Sequence, residues 1–144
     1  AGFDSALVVR GVEGGVIPSL QKTGRFVYFR GAGEDQSLEI DPSELGIDAS
    51  AGAVAARDGQ SEAQDAGAGR AADRAAQAGI AALGGEPGAA REGLVFSAAV
   101  CLFHLDRYAS PAAAASAVRE VLDRGLARAR LEAGATITPR ADPR

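Results

Sequence analysis

The sequence predicts an α/β protein with a partial central sheet and flanking helices. Strand-forming runs crowd the first third of the chain, helix-forming runs fill the last third, and no strand-like run follows the helices. A length of 144 residues fits one domain. A hydrophobic fraction of 47% with 24% charged residues is that of an ordinary globular protein, able to bury a core without staples.

The first strand is expected in SALVVRG, residues 5–11. A short apolar run closed by glycine is the pattern of a strand buried on both faces. The turn Gly11-Val12-Glu13-Gly14-Gly15 follows. Phosphate loops work because glycine conformations aim backbone N–H groups at an anion, often at a helix N-terminus. This turn has the glycines but lacks the lysine and hydroxyl pair of such loops, and extended Val16-Ile17-Pro18 follows in place of a helix start. Glu13 would also repel a phosphate. By its own spacing the turn reads as a bend that ends a strand.

GRFVYFRG, residues 24–31, is bracketed by glycines and rich in strand formers. A period of two puts Phe26 and Tyr28 on one face and Val27 and Phe29 on the other. In QSLEI, residues 36–40, Leu38 and Ile40 face a core while Glu39 faces water. The GAGED turn between these runs predicts an antiparallel pair. DPSELGI then opens a helix with Asp41 as N-cap, Pro42 at the first helical position and Glu44 at the capping-box spacing. Gly46 stops it after about one turn.

Residues 49–69 are Ala, Gly, Asp, Gln and Ser with almost no large apolar side chain, and read as a mobile Ala/Gly-rich segment. GRAADRAAQAGIAAL, from Gly69, has high helix propensity and ends at the C-cap pair Gly84-Gly85. EPGAAREGLVFSAAVCLFHL is apolar nearly all round and reads as a central buried helix. The last helix starts at Ser110 as N-cap with Pro111 next, and runs to about Gly134. Its expected apolar stripe is Ala114, Val118, Val121, Leu122, Gly125 and Ala129, with Arg119, Glu120, Asp123 and Arg124 on the rest. The tail, 135–144, is polar, holds two prolines and is expected to be disordered.

Composition excludes several functions. A net charge of −4 is not that of a general polyanion binder. One cysteine and one histidine exclude an intrachain disulfide and a Cys/His zinc site. Cys101 lies among apolar neighbours and reads as a buried, inert thiol. His104 stands at a helix end, where a cation suits the dipole, with no nucleophile motif beside it. Ser97 and Cys101 read as a helix contact, and Arg124, Arg128 and Arg130 as a solvated face. No signal peptide or membrane-length apolar run is present, so the expected location is the cytoplasm, with no membrane partner. The chain has no Met and reaches a strand-like run by Ala6, the pattern of a partial sequence. Three strands make a thin sheet, so the remainder of a domain or a partner chain is expected to complete it.

The order of these motifs resembles the C-terminal third of anthranilate phosphoribosyltransferases and their relatives, over residues 2–132. The matching stretches are Val9-Arg10-Gly11, Pro42-Ser43-Glu44-Leu45-Gly46, Gly85-Glu86-Pro87 through Arg91-Glu92, Ser97-Ala98-Ala99, and Glu120-Val121-Leu122-Asp123-Arg124-Gly125. The resemblance implies that residues 1–134 are the C-terminal part of an α/β domain of the phosphoribosyltransferase and nucleoside phosphorylase type. It implies transfer of a phosphoribosyl group to an amine acceptor in the intact family, magnesium as cofactor, and a homodimer when full length. The family's glycine-rich donor loop lies upstream of the matched part, so the chain alone is expected to be inactive. It has no expected catalytic residue. The substrate-binding candidates are Arg10, Gly11, Glu13, Gly14 and Gly15. The family carries Gly-Leu-Asp-Glu after this turn, and its acidic pair binds magnesium. Here Gly14, Gly15, Val16 and Ile17 stand at those positions, so the metal ligands are missing and no metal site is expected. Such divergence leaves a second reading, a non-catalytic relative that binds nucleic acid, and Arg10 suits either role.

Overall fold

The computed structural model describes residues 3–11, 17–31, 33–48 and 68–135. Three strands, β1 (Ser5–Val9), β2 (Gly24–Arg30) and β3 (Gln36–Ile40), precede four helices, α1 (Ala68–Leu83), α2 (Ala89–His104), α3 (Pro111–Asp123) and α4 (Leu126–Ala135). Of the expected mobile segment 49–69 and disordered tail 135–144, residues 49–67 and 136–144 lie outside the described residues, while Ala68, Gly69 and Ala135 are helical. Among the described residues no helix is long and apolar enough to cross a membrane.

The sheet is an antiparallel meander in the order β1-β2-β3. Leu7 opposes Tyr28, Val9 opposes Phe26, and Phe26 opposes Leu38. Alternation therefore sends Leu7, Val9, Phe26, Leu38 and Ile40 to the helices, where they join Val95, Phe96, Ala99 and Val100 in one core. Phe26 and Phe96 meet edge to face with ring centroids 5.9 Å apart, the offset that aromatic quadrupoles favour. The other sheet face carries Val27 and the Arg25–Glu39 ion pair. β1 is thus an edge strand covered on one face, not a strand buried on both, and Val8 is 63% exposed.

A 3-10 turn, Pro42–Leu45, follows β3 and drives Leu45 and Ile47 into the core. Both halves of the expected capping box form there: Asp41 accepts from the Ser43 N–H, and the Asp41 N–H donates to Glu44. α1 ends as expected at Gly84-Gly85. Gly85 has φ +89°, and the Glu86 N–H reaches the Ala81 carbonyl while the Gly85 N–H reaches Ala82, the reciprocal bonds of a Schellman close. A Cβ on Gly85 would lie 2.8 Å from the Leu122 carbonyl oxygen, so this turn also lets α1 approach α3.

α2 buries one face, not its whole circumference. Gly93, Val95, Phe96, Ala99, Val100 and His104 are buried, while Leu94 and Cys101 are exposed. Leu94 and Cys101 are seven residues apart and so share a stripe on the helix side away from the core. The exposed Cys101 corrects the expectation of a buried thiol. α3 starts on Ser110, which accepts from the Ala113 N–H at 3.2 Å, with Pro111 behind it. The most extensive contact between elements is α2 on α3. The expected single last helix is two: Gly125 has φ +66°, its N–H caps Leu122, and α4 begins at Leu126. The buried stripe also differs from the expected one. Ala114 and Leu122 are buried and Val118 packs on the core, but Val121 and Ala129 are exposed and Ala115 takes a buried place.

Candidate functional site

β1 ends at Val9 and hands Arg10 and Gly11 to the rim of an open depression of about 530 Å³, lined among the described residues also by Ser19, Gln21, Lys22, Thr23, Gly24 and Arg25. Strand pairing builds it. Val9 opposes Phe26, so the residues that continue β1 lie beside the residues that open β2. Gly24 forms part of the floor and is buried. A Cβ there would lie 2.9 Å from the Phe26 ring and 3.3 Å from Phe96, so the core itself requires glycine at this point.

Of the expected site residues, Arg10 is exposed and Gly11 half-buried. Glu13, Gly14 and Gly15 lie outside the described residues, as does Val16. Arg10 and Lys22 have no ion-pair or hydrogen-bond partner among the described residues. Arg25 is committed to Glu39, with both its Nε and a terminal nitrogen on one carboxylate oxygen, at 2.9 and 2.6 Å. Ser19 Oγ accepts from the Gln21 N–H at 3.2 Å, which leaves its own O–H free to donate. Thr23 donates to Asp41 at 3.4 Å and ties the rim to the capped turn. The Ser43 hydroxyl and N–H hold the Asp41 carboxyl below its ordinary range.

Magnesium does not fit this donor set. The ion requires hard, anionic oxygen ligands, whereas the described lining supplies a guanidinium, an ammonium and neutral groups without a carboxylate. Ile17, at one of the positions where the resemblance expects an acid, is 59% exposed and aliphatic. Its Cγ2 lies 3.5 Å from where a Gly93 Cβ would be, so it leans toward α2. Among the described residues no cluster of His, Cys, Asp and Glu could hold a metal ion.

A second polar cluster joins stretches that lie far apart in the sequence. Glu92 on α2 receives Arg91 and Arg119, each at 2.8 Å. Arg91 also reaches Asp123 at 2.5 Å, and Arg119 donates to the Leu45 carbonyl at 2.6 Å. Burial alone would push the Arg91 guanidinium down, but the hydrogen bonds and charges of Asp123 and Glu92 outweigh it and hold it above its ordinary range. Arg91 Nε is left buried without a partner.

The remaining candidates disperse. His104, the last residue of α2, is buried with Nδ1 unpartnered, and meets Tyr28 edge to face at 5.6 Å. It is a packed, helix-end histidine as expected. Arg124 pairs with Glu120 and Arg128 with Glu132 on exposed helix surface, in keeping with a solvated face. Sequence reasoning missed Arg30. It donates to the Phe103 carbonyl at 2.7 Å, pairs with Asp106 at 2.6 Å, and lies over the Tyr28 and Phe103 rings. The signal was present, since Arg30 shares the core-facing parity of Phe26 and Tyr28. No protein-family model and no curated protein matches the chain.

Proposed function

We propose that the chain is part of a phosphoribosyltransferase homologue, of the kind that transfers a phosphoribosyl group to an amine acceptor, and that the chain by itself is inactive. The observation that carries this reading is the convergence of three motif stretches in one ion-pair cluster. The Pro42–Gly46 turn enters through the Leu45 carbonyl, Arg91-Glu92 supply its centre, and the Glu120–Gly125 stretch supplies Asp123. Motifs whose order resembles one family are thereby tied to one another physically, as parts of a common fold would be. Among the described residues β1 is an edge strand, which also suits a sheet completed by the remainder of a domain, in a cytoplasmic homodimer.

The test is turnover by the longest protein that contains this chain. Phosphoribosyl pyrophosphate is incubated with magnesium and a panel of aromatic and aliphatic amines, and pyrophosphate release is measured. Acceptor-dependent release is expected, and no release with any amine overturns the reading.

The second reading, a non-catalytic relative that binds nucleic acid, is favoured by Ile17, an exposed aliphatic side chain where the family carries a magnesium ligand. It requires low-salt binding of DNA or RNA whose affinity falls steeply as salt is raised. An unshifted oligonucleotide at low salt removes it.

A further inference from the structure

We propose that the outward stripe of α2 is an interface between two copies of this chain, which pack their α2 helices antiparallel about a twofold axis near Ser97 and Ala98. This goes beyond the transferase reading and does not rest on it, because it names a surface of this chain and requires no transfer. The stripe follows from helical spacing. Ala90, Leu94, Ser97, Ala98 and Cys101 share one side of α2, and Leu105 at its C-cap continues the row. Ala90, Leu94, Cys101 and Leu105 are exposed, and Ser97 and Ala98 are half-buried between them. None of the six is charged, and Leu105 is 57% exposed. A contiguous uncharged row on the solvent side of a helix marks a surface that another molecule covers.

Charge and order select a second copy as that molecule. Glu86 and Arg107 stand three residues outside the two ends of α2 and bracket the stripe with opposite signs. Both are exposed, and neither side chain has an ion pair or hydrogen bond among the described residues. An antiparallel pair brings each Glu86 beside the partner's Arg107, so symmetry forms the attraction twice. A parallel pair would set like charges together at both ends, which disfavours it. The antiparallel helix dipoles act in the same direction. The stripe also matches itself in this order. With the axis between Ser97 and Ala98, Leu94 comes level with the partner's Cys101, and Ala90 with the partner's Leu105. Small residues at the crossing point let the two helices approach closely. From Ala90 to Leu105 the stripe is about 22 Å long at the α-helical rise, short for an obligate interface, so the dimer exchanges with monomer. The outer sheet face also exposes Val8 and Val27, but its charges, Arg25 and Glu39, already neutralise each other and offer a second copy no complement.

The experiment is sedimentation equilibrium of the 144-residue chain over a range of concentrations, with a reductant present so that Cys101 forms no cross-link. A reversible monomer–dimer equilibrium is expected. Leu94→Glu should weaken the dimer about a hundredfold, since it sets a carboxylate against apolar surface on both copies. Glu86→Arg and Arg107→Glu should each weaken it about tenfold, because like charges then meet at both ends. The two combined should return within about threefold of the parent, since each pair is only reversed. Val8→Glu, on the outer sheet face, should stay within about twofold of the parent. Circular dichroism checks that each variant keeps the parent fold. Monomer alone up to about 1 mM overturns the proposal, whatever else covers α2 in a longer protein. A dimer untouched by Leu94→Glu overturns it, as does a charge reversal without recovery in the combined variant. A dimer lost in Val8→Glu and kept in Leu94→Glu overturns it in favour of the sheet face. Failure here is distinct from failure of the transferase reading, which is scored on turnover by the longer protein.

Discussion

Asp41 shows how much a single residue can do at the junction of sheet and helix. Its carboxylate takes the Ser43 N–H and hydroxyl at 2.9 and 2.5 Å and also receives Thr23. The charged form is favoured in the folded chain, so its ionisation lies below the ordinary 3.8. The unfolded chain then binds more protons between the two values. The cap's contribution is complete above the unfolded value and is lost as pH falls through the folded one. Thermal midpoints measured from about pH 5 down to about pH 2 should therefore fall more steeply for the parent than for Asp41→Asn. Parallel curves would show that the cap is not titrating. This cap was legible in the sequence because every partner but Thr23 lies within three residues of Asp41. The partners of Arg30 and Arg119 were not, although the parity of β2 marks Arg30 as core-facing, because each arginine donates to a carbonyl more than seventy positions away, at Phe103 and Leu45. No local pattern records such a meeting. The candidate site divides the same way. Arg10 and Gly11 stand out at the end of an apolar run, whereas Lys22 and Ser19 join them only once β1 and β2 pair.

At the scale of elements, the ion-pair cluster decides how the 3-10 turn, α2 and α3 sit. Glu92 is its hub, 15% exposed, with Arg91 and Arg119 both on its carboxylate. Glu92→Gln keeps the shape but replaces one acceptor oxygen by an amide that faces a guanidinium. It should cost about 1–3 kcal/mol, the worth of a charge-assisted hydrogen bond, read as a lower urea midpoint at unchanged slope. A midpoint within error of the parent would show that solvent replaces these contacts freely. Element identity was legible wherever caps and periodicity agreed: β2 with β3, the 3-10 turn, the end of α1 and the start of α3 all lie where local chemistry places them. The burial of each face was less legible. α2 is apolar almost all round, yet among the described residues helices cover only one side of the sheet, and Leu94 and Cys101 are left outward. Gly125 could serve as a small residue in a stripe or as a left-handed stop, and only packing chose the stop.

At the scale of the whole molecule, sheet and helices form two sequential blocks. Each strand pairs with its sequence neighbour, and α2 packs most closely on the next helix, α3. The interface between the blocks is apolar at its centre, with Phe26 on Phe96, and is pinned at its margins by Arg30 on Phe103 and Arg119 on Leu45. This arrangement has a kinetic consequence. Local hairpins close quickly, while contacts across long loops carry a closure cost that delays them. The two arginine pins should thus form after the rate-limiting step. Arg30→Met and Arg119→Met should accelerate unfolding in stopped-flow denaturant jumps by about tenfold while leaving refolding rates within about twofold of the parent. A refolding limb slowed as much as the unfolding limb is hastened would place the pins in the nucleus instead. The two margins of the interface then act as latches, setting how long the folded chain lasts without deciding how fast it is reached.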